Sequence, residues 1–302
     1  MDFMELTKDI VGSDNVFINE KMDKHTTMRV GGAASCLVTP ETVEALVKLV
    51  DLCRNENIPY YVIGNGSNLL VSDEGFDGII IKIGRKMSNI TLKDNVITAE
   101  AGALMSSIGG FALREGLTGF EFAAGIPGTI GGGCVMNAGA YGGELKDVLV
   151  SVTAITPQGA VVTYSVEELE LGYRTSMFLD KDYVILEATI RLEKGEKATI
   201  EARMSELSAM RRDKQPLDLP NAGSTFKRPV GDFAGRLIED AGLKGKGVGN
   251  ACVSEKHAGF VVNKGNATAK EVYDTIQFVI DAVQVKSGVI LEPEVRMIGN
   301  FT

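Results

Sequence analysis

The chain has no tryptophan, two histidines and four cysteines among its 302 residues. Without tryptophan, any aromatic stacking has to come from the 7 tyrosines and 12 phenylalanines. His25 and His257 cannot form a histidine-rich metal centre by themselves, and packing or hydrogen bonding is the expected role of each. Cys36, Cys53, Cys134 and Cys252 lie far apart with no CxxC pair. That spacing argues against a metal or disulfide framework and suits a reducing cytoplasm. No segment reaches the roughly 18 uninterrupted apolar residues that a membrane span needs. The opening MDFMELTKDI lacks the positive-then-apolar order of a secretory signal. Basic charge is short too: 31 Lys and Arg face 40 Asp and Glu, for a net charge of −9. No cationic stripe is left to displace counterions from a nucleic acid.

What is present is an ordinary globular composition, 44% hydrophobic and 24% charged, at a length that suits two or three packed units. Thr39-Pro40-Glu41 predicts a helix start, with Thr39 as N-cap and Pro40 at the first helical position. Val43, Leu46, Val47, Val50 and Cys53 then recur at helical spacing. Tyr60–Ile63 and Gly78–Ile83 read as buried strands, and Leu104–Arg114 as a helix. Val148–Thr156 and Ala160–Tyr164 flank a Pro157-Gln158-Gly159 turn and read as a hairpin, followed by a strand at Tyr183–Leu192. Lys197–Arg212 is a charged helical connector. Phe233–Ala241 is helical, Thr268 with Glu271 forms a capping box ahead of a second helix, and Val289–Ile298 is expected as a final strand. The mixture implies an α+β or α/β chain.

The 35 glycines exceed the roughly 7% of an average chain, and they cluster. In Tyr61-Val-Ile-Gly-Asn-Gly-Ser-Asn-Leu-Leu70, Gly64 and Gly66 permit a tight turn whose N–H groups can converge on an anion. Ser67 and Asn68 add side-chain donors. The GxGxxG pattern fails because Leu69 occupies the third glycine position, and no GxxxxGK[ST] loop exists. A plain tight turn between strands explains this segment equally well. The longer run from Gly119 to Gly143 is apolar and almost uncharged. Such backbone suits a flat ligand that leaves no room for Cβ atoms, or a structural loop packed on protein; a cofactor with a planar ring and a pyrophosphate explains both segments together. In Gly172-Tyr-Arg-Thr-Ser-Met-Phe178, Arg174 suits bidentate carboxylate capture or an ordinary surface ion pair. Gly223 can hold a turn that presents Ser224 beside Lys227. No GxSxG elbow surrounds Ser224, so acyl transfer is not indicated, and proton donation or a turn serine both remain open. Glu292 and Glu294 share one face of an extended segment interrupted by Pro293.

These segments, in this order, resemble the UDP-N-acetylenolpyruvoylglucosamine reductase family. The run AGIPGTIGGGCVMNAGAYGGE is the most specific piece, with GNGSNLL, GYRTSMF, AGSTFKRP and LEPEVR beside it. The resemblance implies an α+β chain: a two-subdomain FAD-binding fold of the vanillyl-alcohol-oxidase type (1–94 and 95–205) and a C-terminal α+β substrate-binding domain (206–302). It implies reduction of an enolpyruvyl ether of UDP-N-acetylglucosamine to UDP-N-acetylmuramate for bacterial peptidoglycan. NADPH would be the hydride donor and non-covalent FAD the carrier, in the cytoplasm, with no metal. The direct run from Arg174 to the strand near Tyr183 resembles the family's second type, which lacks an extra tyrosine-bearing loop. The family's catalytic positions fall on Arg174, Ser224 and Glu294. Its pyrophosphate turn falls on Gly64, Asn65, Gly66, Ser67 and Asn68. The stretch lining flavin and ribityl chain includes Gly125, Ile126, Gly128, Thr129, Gly132 and Asn137. Other readings are a different flavin oxidoreductase of this fold, or a catalytically silent flavin- or nucleotide-sugar-binding protein. The former lacks a convincing histidine for covalent flavin, and the latter is disfavoured by the presence of Arg174, Ser224 and Glu294 together.

Overall fold

After a short helix α1 (Phe3–Val11), the helical periodicity near residue 43 does produce a helix, α2 (Val43–Asn55), but it starts later than the proline predicts. Thr42, not Thr39, is the N-cap: its Oγ1 accepts from the Ala45 N–H at 3.1 Å. The Thr39 hydroxyl is turned to the Asn15 side chain instead. Leu46, Leu49, Val50 and Cys53 form the buried face, and Val43 and Val47 are only partly covered. The computed structural model describes residues 3–301, and no helix among them is long and apolar enough to cross a membrane.

The chain groups into two compact units. The first comprises residues up to Phe17, Cys36–Asn65 and Ile79–Arg211. Its centre is a five-stranded antiparallel sheet with the spatial order Val161–Ser165, Leu149–Ile155, Val184–Arg191, Val96–Glu100, Ile90–Lys93. The predicted hairpin is its first pair, with Ile155 opposite Val161 and Ser151 opposite Ser165. Alternate residues such as Val152, Ala188, Ile190 and Ile97 point into the core. Tyr60–Ile63 runs parallel to residues 79–82, Tyr60 opposite Ile79 and Ile63 opposite Lys82. This unit also holds α3 (Met105–Glu115), α4 (Ile130–Met136) and α5 (Lys197–Lys214). The helix α4 lies inside the glycine-rich stretch.

The second unit comprises Ile18–Ser35, Gly66–Gly78 and the chain from Arg212 onward. It holds a three-stranded antiparallel sheet, Gly247–Val248, Ala251–Val253 and Val261–Asn263, with α6 (Ala234–Asp240) and α7 (Ala269–Ser287). The capping box forms as predicted: Thr268 Oγ1 accepts from Glu271 N, and the Glu271 carboxylate accepts from Thr268 N. Val272, Ile276, Val279 and Val283 line the face of α7 that enters the core, each contributing about 1.5–3 kcal/mol by leaving water. The expected final strand is shorter than its apolar pattern: only Arg296–Ile298 is strand, parallel to Leu69–Val71. Pro293 has no N–H to give a ladder. Residues before Arg296 make one isolated bridge, Phe226 to Pro293, instead.

Candidate active site

The turn after Tyr60–Ile63 is built as a tight anion-compatible loop, and each glycine in it has a protein neighbour that forbids a side chain. A Cβ on Gly64 would stand 2.2 Å from Thr129 Oγ1. Gly66 has φ +64°, and a Cβ there would stand 2.0 Å from the His25 carbonyl oxygen. Asn65 Nδ2 donates to the Pro127 carbonyl at 2.5 Å, which ties the turn to the glycine-rich stretch of the same unit. The Ser67 hydroxyl has no partner among the described residues, so it is available to a guest. Asn68 Nδ2 donates to the Glu294 carbonyl at 3.1 Å, and Asn68 O accepts from Arg296 N at 3.0 Å.

Helix α4 organises the glycine-rich stretch. Thr129 is its N-cap, Oγ1 accepting from Gly132 N at 3.4 Å. Gly131 packs on Ala101 and Gly133 on Leu145 and Met105, so these two are glycine for protein packing. Gly132 lies on the opposite face, exposed, with Thr129 Oγ1 3.7 Å from its Cβ position as the nearest group. Gly125 is exposed as well, while Gly128 and Ile126 are half-buried; Gly128 O accepts from Met105 N at 3.1 Å and Ile126 N donates to Ala123 O at 2.9 Å. The Arg211 guanidinium, from α5, lies 3.3 Å from the Cβ position of Gly125. Its Nε is buried without a hydrogen-bond partner among the described residues. A bare backbone ledge with an unsatisfied cationic donor beside it fits a flat ring with polar edges, as in FAD. Cys134, in the core of α4, is no participant: burial pushes its thiol up to about 12.

Arg174 sits in a turn closed by Gly172 and Thr175, which exchange N–H···O bonds of 3.1 and 3.3 Å. Its φ is +53°, in the left-handed region that favours glycine. The guanidinium lies 5.2 Å from the Tyr173 ring centroid and donates through Nη2 to the Gly139 carbonyl at 3.1 Å. From Arg174 the chain reaches the strand Val184–Arg191 through turns alone. Asn137, the C-cap of α4, is fully buried and left-handed at φ +43°. Its Nδ2 donates to Gly172 O at 2.9 Å and to Glu144 Oε2 at 2.7 Å, and its Oδ1 accepts from Lys146 N at 3.0 Å. Only its backbone is left to meet a flavin.

The second unit brings Ser224 and Glu294 to adjoining segments. Glu294 N donates to Thr225 O, and Lys227 N to Glu292 O, both at 2.8 Å. Ser224 is exposed, just after Gly223 at φ +78°, while Thr225 is buried and its hydroxyl accepts from Val261 N. The two glutamates differ. Glu292 is largely exposed and ion-paired with Lys227, whereas Glu294 is half-buried. Arg174 belongs to the first unit and is described there. His25 bonds Glu20 at 3.0 Å. His257 is packed edge-on to Phe260, and burial holds its imidazole below the usual range. No three His, Cys, Asp or Glu side chains cluster as a metal site among the described residues.

Two residues escaped the sequence reading in these roles. Arg211 sits in a charged helix that reads as a solvated connector. Nothing in the neighbours of Asn137 in the sequence signals its contact with Gly172, 35 positions away.

The FAD binding domain family matches residues 34–165, and the C-terminal domain of UDP-N-acetylenolpyruvoylglucosamine reductase matches residues 215–298. A UDP-N-acetylenolpyruvoylglucosamine reductase of Clostridium botulinum is 50% identical over 281 residues, covering 93% of this chain and 92% of its own. One of Clostridium perfringens is 49% identical, covering 99% and 98%. The crystal structure of the reductase from Thermus caldophilus superposes with a TM-score of 0.80 at 36% identity, over 93% of this chain and 98% of that one. A Phl p 4 glucose oxidase variant shares the fold alone, with a TM-score of 0.51 at 13% identity over 65% of this chain and 45% of its own. By this near full-length identity, the chain belongs to the UDP-N-acetylenolpyruvoylglucosamine reductase family.

Proposed function

We propose that this enzyme reduces the enolpyruvyl ether of UDP-N-acetylglucosamine to the lactyl ether, giving UDP-N-acetylmuramate for bacterial peptidoglycan. NADPH is the hydride donor and non-covalent FAD the carrier. The observation that carries this reading is the 49% identity to the Clostridium perfringens reductase over 99% of the chain. Residues 1–94 and 95–205 are proposed as the FAD subdomains and 206–302 as the substrate-binding domain. A cytoplasmic location accords with four cysteines that are all buried free thiols.

Bound FAD would supply the hydride-transfer chemistry between NADPH and the alkene carbon distal to the substrate carboxylate. Gly64, Asn65, Gly66, Ser67 and Asn68 hold the pyrophosphate, and the stretch with Gly125, Ile126, Gly128, Thr129, Gly132 and Asn137 lines the ring and ribityl chain. The Arg211 guanidinium, beside Gly125, would help to hold the flavin. As hydride adds, negative charge builds on the substrate carboxylate, and Arg174 with Glu294 as hydrogen-bonding partner stabilises it in place. Ser224 donates the proton to the carbon adjacent to that carboxylate. Glu292 is instead largely exposed and ion-paired with Lys227.

The purified protein is expected to be yellow and to release its colour on boiling. It should oxidise one NADPH for each enolpyruvyl sugar nucleotide converted, giving a product heavier by two hydrogens. Colourless protein that takes up no added FAD, or NADPH oxidation indifferent to the sugar nucleotide, would overturn the reading.

A further inference from the structure

Arg174 occupies a backbone conformation that costs energy for a bulky side chain, and such outliers persist only where the surroundings over-determine them. The surroundings here are the C-terminal end of α4. Asn137 Nδ2 grips Gly172 O at 2.9 Å, before the arginine, and Ser176 Oγ donates to Val135 O at 2.8 Å, after it. Ser176 Oγ also accepts from Phe178 N, which fixes the exit of the turn. The arginine's own Nη2 reaches Gly139, two residues beyond Asn137. Both flanks of the turn and the guanidinium are thus referred to one helix end. Asn137 is itself immobilised, fully buried, with both amide protons and its oxygen engaged and its left-handed backbone suited to asparagine.

We propose that Asn137 is a positioning residue for Arg174, holding the Gly172–Thr175 turn on α4 so that the guanidinium stands where the substrate carboxylate gains charge. This rests on the reading of Arg174 as the carboxylate-binding group. The other end of α4 abuts the phosphate turn, Thr129 Oγ1 lying 2.2 Å from the Cβ position of Gly64. The helix therefore contacts both Gly64 and the Arg174 turn within the first unit.

The test is a double-mutant cycle read in the two anaerobic half-reactions of the FAD-loaded enzyme. Asn137→Gly tolerates the left-handed backbone and removes the side chain with its hydrogen bonds to Gly172, Glu144 and Lys146. In protein saturated with FAD it should slow reoxidation by the sugar nucleotide about 10-fold or more beyond any change in the rate of NADPH reduction. In an Arg174→Ala background the same change should add less than about 2-fold. Ser176→Ala, which releases the other flank, should give the same pattern with a smaller loss and serves if Asn137→Gly fails to fold. An equal loss in the Arg174→Ala background, or equal slowing of both half-reactions, would overturn the proposal. Wild-type reoxidation by Arg174→Ala alone would instead remove Arg174 from the chemistry, and with it the reading beneath the proposal.

Discussion

Asn68 donates its side-chain amide to the main-chain carbonyl of Glu294 at 3.1 Å. Asn68 ends the turn expected to hold pyrophosphate, and Glu294 is the acid expected at the substrate, so one hydrogen bond links cofactor capture to acid placement. The parallel pairing of Leu69–Val71 with Arg296–Ile298 continues from it. Removing such a bond costs about 1 kcal/mol, roughly 5-fold in an equilibrium. Asn68→Ala should therefore weaken FAD binding several-fold and also slow the sugar half-reaction in protein saturated with FAD. Fluorescence titration of FAD and stopped-flow absorbance separate the two effects; a change in FAD affinity alone would remove the link to Glu294.

Glu294→Gln should keep its FAD and its reduction by NADPH, while the sugar step slows by about 10-fold or more. Glu292→Gln, which loses only an exposed ion pair with Lys227, should stay within about 2-fold. The reverse ranking of the two variants in stopped-flow reoxidation would transfer the role to Glu292.

Gly64 is pressed by the cap of α4. An alanine there meets Thr129 Oγ1 at 2.2 Å and displaces the N-cap of the helix. Losing a cap costs about 1 kcal/mol. In a chain of this size that lowers Tm by about 2–4 °C, and FAD content should fall with it. Gly84→Ala, with nothing within 4 Å of its Cβ position, is the matched control and should retain both. Calorimetry and the flavin-to-protein absorbance ratio read the outcome.

Burial holds the His257 imidazole below the ordinary 6.5, against a backbone hydrogen bond that raises it; the Lys244 charge adds to the lowering and the Glu239 charge opposes it. Its Nδ1 accepts from Gly259 N at 3.1 Å, a bond that protonation would destroy. The unfolded chain then binds more protons than the folded one below about pH 6.5. His257's contribution is complete above that pH and is lost as pH falls below it, with a slope of at most about 1.4 kcal/mol per unit. Urea unfolding between pH 5 and 8, wild type against His257→Gln, should show this difference in slope. Parallel profiles would contradict it.

The features legible in the sequence are those set locally. Thr268 and Glu271 lie three residues apart and specify their own cap, and the alternation in Val184–Arg191 specifies its sheet face. Thr39-Pro40 misleads because Thr42 offers an equally good cap nearer the apolar face of α2. The helix α4 was hidden because Gly131, Gly132 and Gly133 are poor helix formers. Its reasons are tertiary: Ala101 beneath Gly131, and Leu145 with Met105 beneath Gly133. The motif around Arg174 was readable, but not its left-handed backbone or its tether to Asn137, which join residues far apart in the chain. The grouping of residues 18–35 and 66–78 with the C-terminal segment is likewise not a property that linear composition carries.

The most direct test of the chemistry is anaerobic mixing of NADPH-reduced enzyme, wild type and Ser224→Ala, with the enolpyruvyl sugar nucleotide. Wild-type flavin should regain its yellow colour rapidly without oxygen. Ser224→Ala should be reduced by NADPH at nearly the wild-type rate yet regain its colour about 10²–10⁴-fold more slowly, the range for loss of a positioned proton donor. Wild-type reoxidation by the variant, or equal damage to both half-reactions, would contradict the account.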